Sequence, residues 1–152
     1  MSAAYFYHLT ERPLVDTLRM LVERSLANGW RVAVRGTDPG QLAALDEALW
    51  LAPKDSFLPH GLAGGTHDAQ QPVLLGVATD FANDPNCLIS VGGAEVTAEE
   101  VAQMGRVCIL FDGHDHAAVA HARTQWKALT AKGAGAKYWS EEGGRWEMKA
   151  ES

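Results

Sequence analysis

Hydrophobic positions change period several times along the chain, and each change predicts an element. Residues 4–8 (AYFYH) form a short aromatic run with strand character. Pro13 then opens a helix at a position where its missing N–H costs nothing. Leu14, Val15, Leu18, Leu21, Val22 and Leu26 make one apolar stripe at helical spacing, and Asn28-Gly29 stops it. Residues 31–35 (RVAVR) read as a second strand. Asp38 caps the next helix, Pro39 takes its first position, and Gln41 completes a capping-box-like pattern ahead of a Leu42, Leu45, Leu49 stripe.

After Trp50 the pattern breaks into a loop punctuated by Pro53, Pro59, Gly61, Gly64 and Gly65. The runs 73–78 (VLLGVA), 87–91 (CLISV) and 107–111 (VCILF) are apolar throughout, as strands covered on both faces are. Residues 95–100 read as an acidic loop. A last long helix is expected over 115–131, ended by Lys132-Gly133. Beyond it, Tyr138, Trp139 and Trp146 belong to a short hairpin across Gly143-Gly144 or to loose chain, so 133–152 is expected as a peripheral C-terminal tail. Strands and helices alternating at this pace define an α/β fold. The expected architecture is a single domain over residues 1–152: three layers, a mostly parallel sheet with helices on both faces, Rossmann-like.

Composition changes little in that picture: apolar residues are 47% and charged residues 21% of the 152, ordinary for a globular protein. The net charge of −6 argues against a primary grip on DNA phosphates, which calls for a basic domain or a concentrated basic stripe. No run approaches the ~20 apolar residues of a membrane span, and the opening residues have no secretory pattern. Cys87 and Cys108 lie in apolar runs and read as buried thiols of a reducing compartment. A cytoplasmic protein is expected.

A Rossmann-like sheet invites a search for nucleotide chemistry, and the nucleotide-binding motifs are missing. Neither G-x-x-x-x-G-K-[ST] nor G-x-G-x-x-G occurs, nor does the nucleophile elbow G-x-S-x-G. The Gly-rich run 61–65 (GLAGG) has no lysine and no following helix, and reads as a turn. The most enzyme-like cluster is Asp112-Gly113-His114-Asp115-His116, whose side chains are ligand types for zinc or manganese, with His60, His67 and Asp68 as conceivable additions. It supports an alternative reading as a small metal-dependent α/β enzyme. Because the segment leaves a strand and enters a helix, turn and cap roles account for the same residues.

Two segments are similar to the chi subunit family of DNA polymerase III. One is Leu45-Asp46-Glu47-Ala48-Leu49-Trp50 followed by Pro53, Ser56, Phe57, Pro59, His60, Leu62, Ala63 and Gly64; the other is the last helix with Ala122, Arg123, Trp126 and Lys127. The resemblance implies a nucleotide-binding-like fold without a nucleotide site, no catalysis and no cofactor. It implies an accessory part in bacterial DNA replication, joining the clamp loader, through the psi subunit, to the acidic C-terminal tail of single-stranded-DNA-binding protein. A helicase is a further partner in place of psi, and nucleic acid is contacted mainly indirectly.

The residues support that reading on their own terms. Val119, Arg123, Trp126 and Lys127 stand at i, i+4, i+7 and i+8, on one helix face. From His116 to Ser140 the chain carries Arg123, Lys127, Lys132 and Lys137 and no carboxylate. An aromatic ring between an arginine and a lysine suits a peptide ending in a carboxylate, which arginine grips with two prongs; Val119 and Trp126 offer a seat for its last side chain. The family often has tyrosine at the position of Trp126, and some members have lysine at that of Val119. Trp50 lies about 100° from the centre of its helix's apolar stripe, at the edge of the core. With Phe57, on a segment stiffened by Pro53 and Pro59, it makes a candidate anchor for psi. A third possibility is direct single-stranded DNA binding by Trp126, Trp139 and the lysines.

Overall fold

The apolar runs pair into one eight-stranded sheet with the order β3-β4-β2-β5-β6-β1-β7-β8. In chain order the strands are β1 (Ala3–Leu9), β2 (Val32–Arg35), β3 (Gly61–Leu62), β4 (Val73–Gly76), β5 (Cys87–Ser90), β6 (Arg106–Asp112), β7 (Gly135–Ser140) and β8 (Glu147–Glu151). The helices are α1 (Leu14–Ala27), α2 (Pro39–Trp50), α3 (Ala98–Gln103) and α4 (His116–Ala131). The computed structural model describes residues 3–11, 13–50, 60–77, 81–141 and 146–151. Every strand pairing is parallel except β7 with β8.

Alternation along the strands divides the core between two faces. Val32 and Val34 join Leu18, Leu21 and Val22 of α1 and Leu42, Leu45 and Leu49 of α2 on one face. Ala33 joins Val101 of α3 and Ala122 and Leu129 of α4 on the other. The expected three-layer α/β architecture is therefore the one found. Each fully buried Leu or Val contributes about 1.5–3 kcal/mol, so both helix layers are fixed by the sheet between them.

Several local expectations need correction. The residues read as an acidic loop begin α3: Thr97 accepts from the Glu100 N–H while the Glu100 carboxylate accepts from the Thr97 N–H, a complete capping box. The buried Arg35 then pairs with Glu100 at 2.6 Å, tying α3 to the end of β2. At α2, Asp38 does cap, accepting from the Gly40 N–H at 2.9 Å. Gln41 does something else. Its amide oxygen lies against Gly92, a left-handed residue (φ 61°) with no room there for a side chain. Pro13 stands at the N-cap of α1 and not inside it. Gly61–Leu62, read as turn, adds a short edge strand to β4.

The largest correction concerns the tail. Gly135–Ser140 pairs in parallel with β1 as the last strand but one of the sheet, and β8 forms its edge. Trp139 and Trp146 pack on the α1 side of the core, and Trp146 meets Tyr7 edge-on at 5.3 Å. Just past β7 the buried Glu141 carboxylate accepts the Thr10 and Glu11 N–H groups at 2.9 and 3.0 Å, stapling the end of the sheet to the turn after β1.

Candidate functional site

Helix α4 starts where Asp115 accepts from the Ala117 and Ala118 N–H groups. Its inward side is Ala122, Gln125 and Leu129, all buried. Arg123 and Lys127, one turn apart, stand exposed and form no ion pair among the described residues. Between them Trp126 is half-buried, its ring 5.4 Å from Phe6 and 6.2 Å from Tyr138. These residues enclose an open pocket of about 210 Å³ lined by Ala122, Arg123, Trp126, Lys127 and Tyr138. The pocket is apolar inside and cationic at its mouth.

Of the residues expected on this face, Arg123, Trp126 and Lys127 come together and Val119 does not. Val119 packs, half-buried, on the core beneath α4 and is absent from the pocket lining. Tyr138 takes the place given to it, a residue the sequence reading left in the tail. Lys137 points elsewhere: it pairs with Glu151 at 3.6 Å and lies over Tyr5. Trp139 packs on the opposite side of the sheet from Trp126, so the two tryptophans do not form one stacking platform.

The second candidate surface lies at the far edge of the sheet. Trp50, 49% exposed at the end of α2, rests on the His60 ring with centroids 4.1 Å apart. His60 is buried, and its Nε2 donates to the Asp46 carbonyl at 3.0 Å with the Asp46 carboxylate 3.3 Å away. Leu62 and Val77 are also exposed on this edge, at 42% and 53%. Phe57, Pro53 and Pro59 lie outside the described residues.

A larger crevice, about 680 Å³, opens at the C-terminal ends of β1 and β6 and reaches the Gly92-Gly93 turn after β5. Parallel α/β sheets bind ligands at such a place. No lysine or arginine is among its described lining residues. The Asp112–His116 cluster forms part of its wall, and most of its side chains are engaged locally. Asp112 accepts from the His114 N–H, Asp115 caps α4, and His114 Nε2 donates to the Thr10 carbonyl at 2.8 Å. His67 bonds Gln70, and Asp68 accepts from the Gly64 and Gly65 N–H groups. Among the described residues no three His, Cys, Asp or Glu side chains converge to hold a metal. Cys87 and Cys108 are free and buried; the hydrogen bond to Cys87, reinforced by burial, pushes the Cys108 thiol well up. Nor, among the described residues, is any helix long and apolar enough to cross a membrane.

Fold and pockets together define a Rossmann-like α/β domain whose crevice has no phosphate-binding motif and whose last helix carries two exposed cations beside an apolar pocket. The family model "DNA polymerase III chi subunit, HolC" matches residues 1–137, and the chain belongs to that family. It is 42% identical over 71 residues to DNA polymerase III subunit chi of Escherichia coli K12, covering 42% of this chain and 48% of that protein. The Pseudomonas aeruginosa subunit chi is 34% identical over 71 residues, 47% of this chain and 49% of that protein. A probable subunit chi of Rickettsia prowazekii is 26% identical over 86 residues, 57% of this chain and 50% of that protein. The chain thus spans about half the length of each relative it matches.

Proposed function

We propose that this chain is a non-catalytic replisome adaptor of the cytoplasm, holding two other proteins together. The pocket on α4 takes the acidic C-terminal tail of single-stranded-DNA-binding protein. Arg123 and Lys127 receive the terminal carboxylate, and the last side chain sits on Trp126. The Trp50 edge takes psi, or a helicase in its place. What carries the reading is the pair of unpaired cations at the mouth of an apolar pocket in a protein of net charge −6. A surface of that kind selects a short acidic peptide, while the protein as a whole repels long polyanions.

Fluorescence-anisotropy titration with a labelled tail peptide tests the first contact. Arg123→Ala should cost at least ~1.5 kcal/mol, the size of a charge-assisted hydrogen bond, which is roughly a tenfold loss of affinity. Binding of Arg123→Ala and Lys127→Ala variants at the parent's affinity rejects the site. Replacing Trp50 and Phe57 together with Ala should abolish co-purification with psi while the fold persists, and undiminished recovery of psi rejects the second contact.

A further inference from the structure

The pocket on α4 has one wall that belongs to another element. Opposite Trp126 stands Tyr138 of β7, its ring turned 72° to the indole plane. Side chains alternate along a strand, so Tyr138 faces α4 while Trp139 faces α1. The tyrosine is anchored at its far end. Its hydroxyl is 2.7 Å from His8 Nδ1, and the His8 ring stacks on Phe111 with centroids 5.2 Å apart. Gly113 closes over His8 so tightly that a Cβ there would overlap the imidazole. The imidazole is therefore held from two sides, and it holds the phenol.

We infer that Tyr138 is a further binding residue of the tail site and His8 its positioning residue. This rests on the reading of the pocket as the seat of an acidic peptide's last residue. A tyrosine ring supplies a large apolar contact with little rotamer freedom to lose. Fixing it before the peptide arrives removes part of the ordering cost of binding. The peptide's last side chain then packs into the corner that the two touching rings make, the indole from α4 on one side and the phenol from β7 on the other. The cations act on the terminal carboxylate, so the two contributions are separable: charge reads that a chain ends there, and the paired rings read that its last residue is large and apolar.

Two acidic probe peptides, one ending in phenylalanine and one in alanine, test this with the full-length chain. Tyr138→Ala should weaken the phenylalanine peptide about tenfold, as loss of an aromatic anchor does, and the alanine peptide less than about twofold. Tyr138→Leu, which keeps the space beside Phe6 and Trp126 filled, should show the same contrast and serves if the alanine variant melts. His8→Ala should weaken the phenylalanine peptide about threefold in the parent and clearly less in a Tyr138→Phe background, because the hydroxyl contact is then gone and only the edge-on ring contact at 5.8 Å remains. Equal losses on both peptides, or a His8 effect undiminished by Tyr138→Phe, overturn the inference. If Arg123→Ala loses binding while the Tyr138 variants lose none, this inference alone fails. If none of these variants loses binding, the tail site fails with it.

Discussion

Glu100→Gln isolates one charge at a junction of the fold. The Glu100 carboxylate lies 2.6 and 3.0 Å from the two terminal nitrogens of Arg35, and one of its oxygens also accepts the Thr97 N–H at 3.0 Å. The Arg35 side chain is 6% exposed and that of Glu100 18%. Glutamine keeps the volume and the capping contact, but removes the carboxylate charge that faces a buried guanidinium. Breaking a fully buried pair costs about 3–5 kcal/mol. Here the carboxylate is partly wet, the amide oxygen still accepts, and Arg35 keeps its bond to the Glu95 carbonyl, so the expected loss is about 2–3 kcal/mol. Urea denaturation followed by far-UV circular dichroism at neutral pH measures it. Arg35→Met and the double variant complete a cycle whose coupling should exceed about 1 kcal/mol. Burial pushes the Glu100 carboxyl up, but the hydrogen bonds from Arg35 and Thr97 prevail and hold it below its ordinary value. A group depressed in the folded state stabilises above its unfolded pKa and loses that effect as pH falls through its folded one. The deficit of Glu100→Gln should therefore be complete at neutral pH and shrink below about pH 4. A loss under about 1 kcal/mol at pH 7, or strictly additive variants, would refute the role assigned to this pair.

Other expectations are simpler. Asp115→Ala removes the cap of α4 and should lower stability by about 1 kcal/mol in the same urea assay, with tail affinity kept within about twofold. Leu49→Ala, at a residue 1% exposed, should cost about 2–5 kcal/mol. Cys87 and Cys108 should resist an aromatic disulfide reagent in the native protein and both react in urea; fast native labelling would mean that the sheet opens between β5 and β6. Because Arg123 and Lys127 are exposed, tail binding should weaken as salt rises from about 0.05 M to about 0.5 M, where the screening length falls below 5 Å or so. A salt-independent affinity would assign the binding to the apolar pocket alone.

The central strands were readable because a parallel sheet covered on both faces writes itself as unbroken apolar runs, as in Val73–Gly76 and Cys87–Ser90. The long helices were readable from their stripes and caps. Helix α3 escaped because six residues make less than two turns and only Val101 among them is buried; its one signal is Thr97 followed by Glu100. Strand β7 escaped for a different reason. It pairs with β1, from which it is separated by most of the chain, and nothing local to Gly135–Ser140 records that partner. The same blindness misassigned the pocket wall. Helical spacing groups Val119 with Arg123 and Lys127, whereas in the fold Val119 packs half-buried on the core and the strand order brings Tyr138 to Trp126.

That strand order also sets a timetable. Strand β1 is made well before both its neighbours, β6 and β7, and the Glu141 staple comes later still. A nascent chain therefore carries an unpaired aromatic strand until β6 and β7 follow it, and pairings across such sequence distances form slowly. The α4 pocket includes Tyr138 of β7, so it is complete only once β7 has paired with β1. A chain that stops short of β7 lacks Tyr138, and with it one side of the cavity beside Arg123 and Lys127.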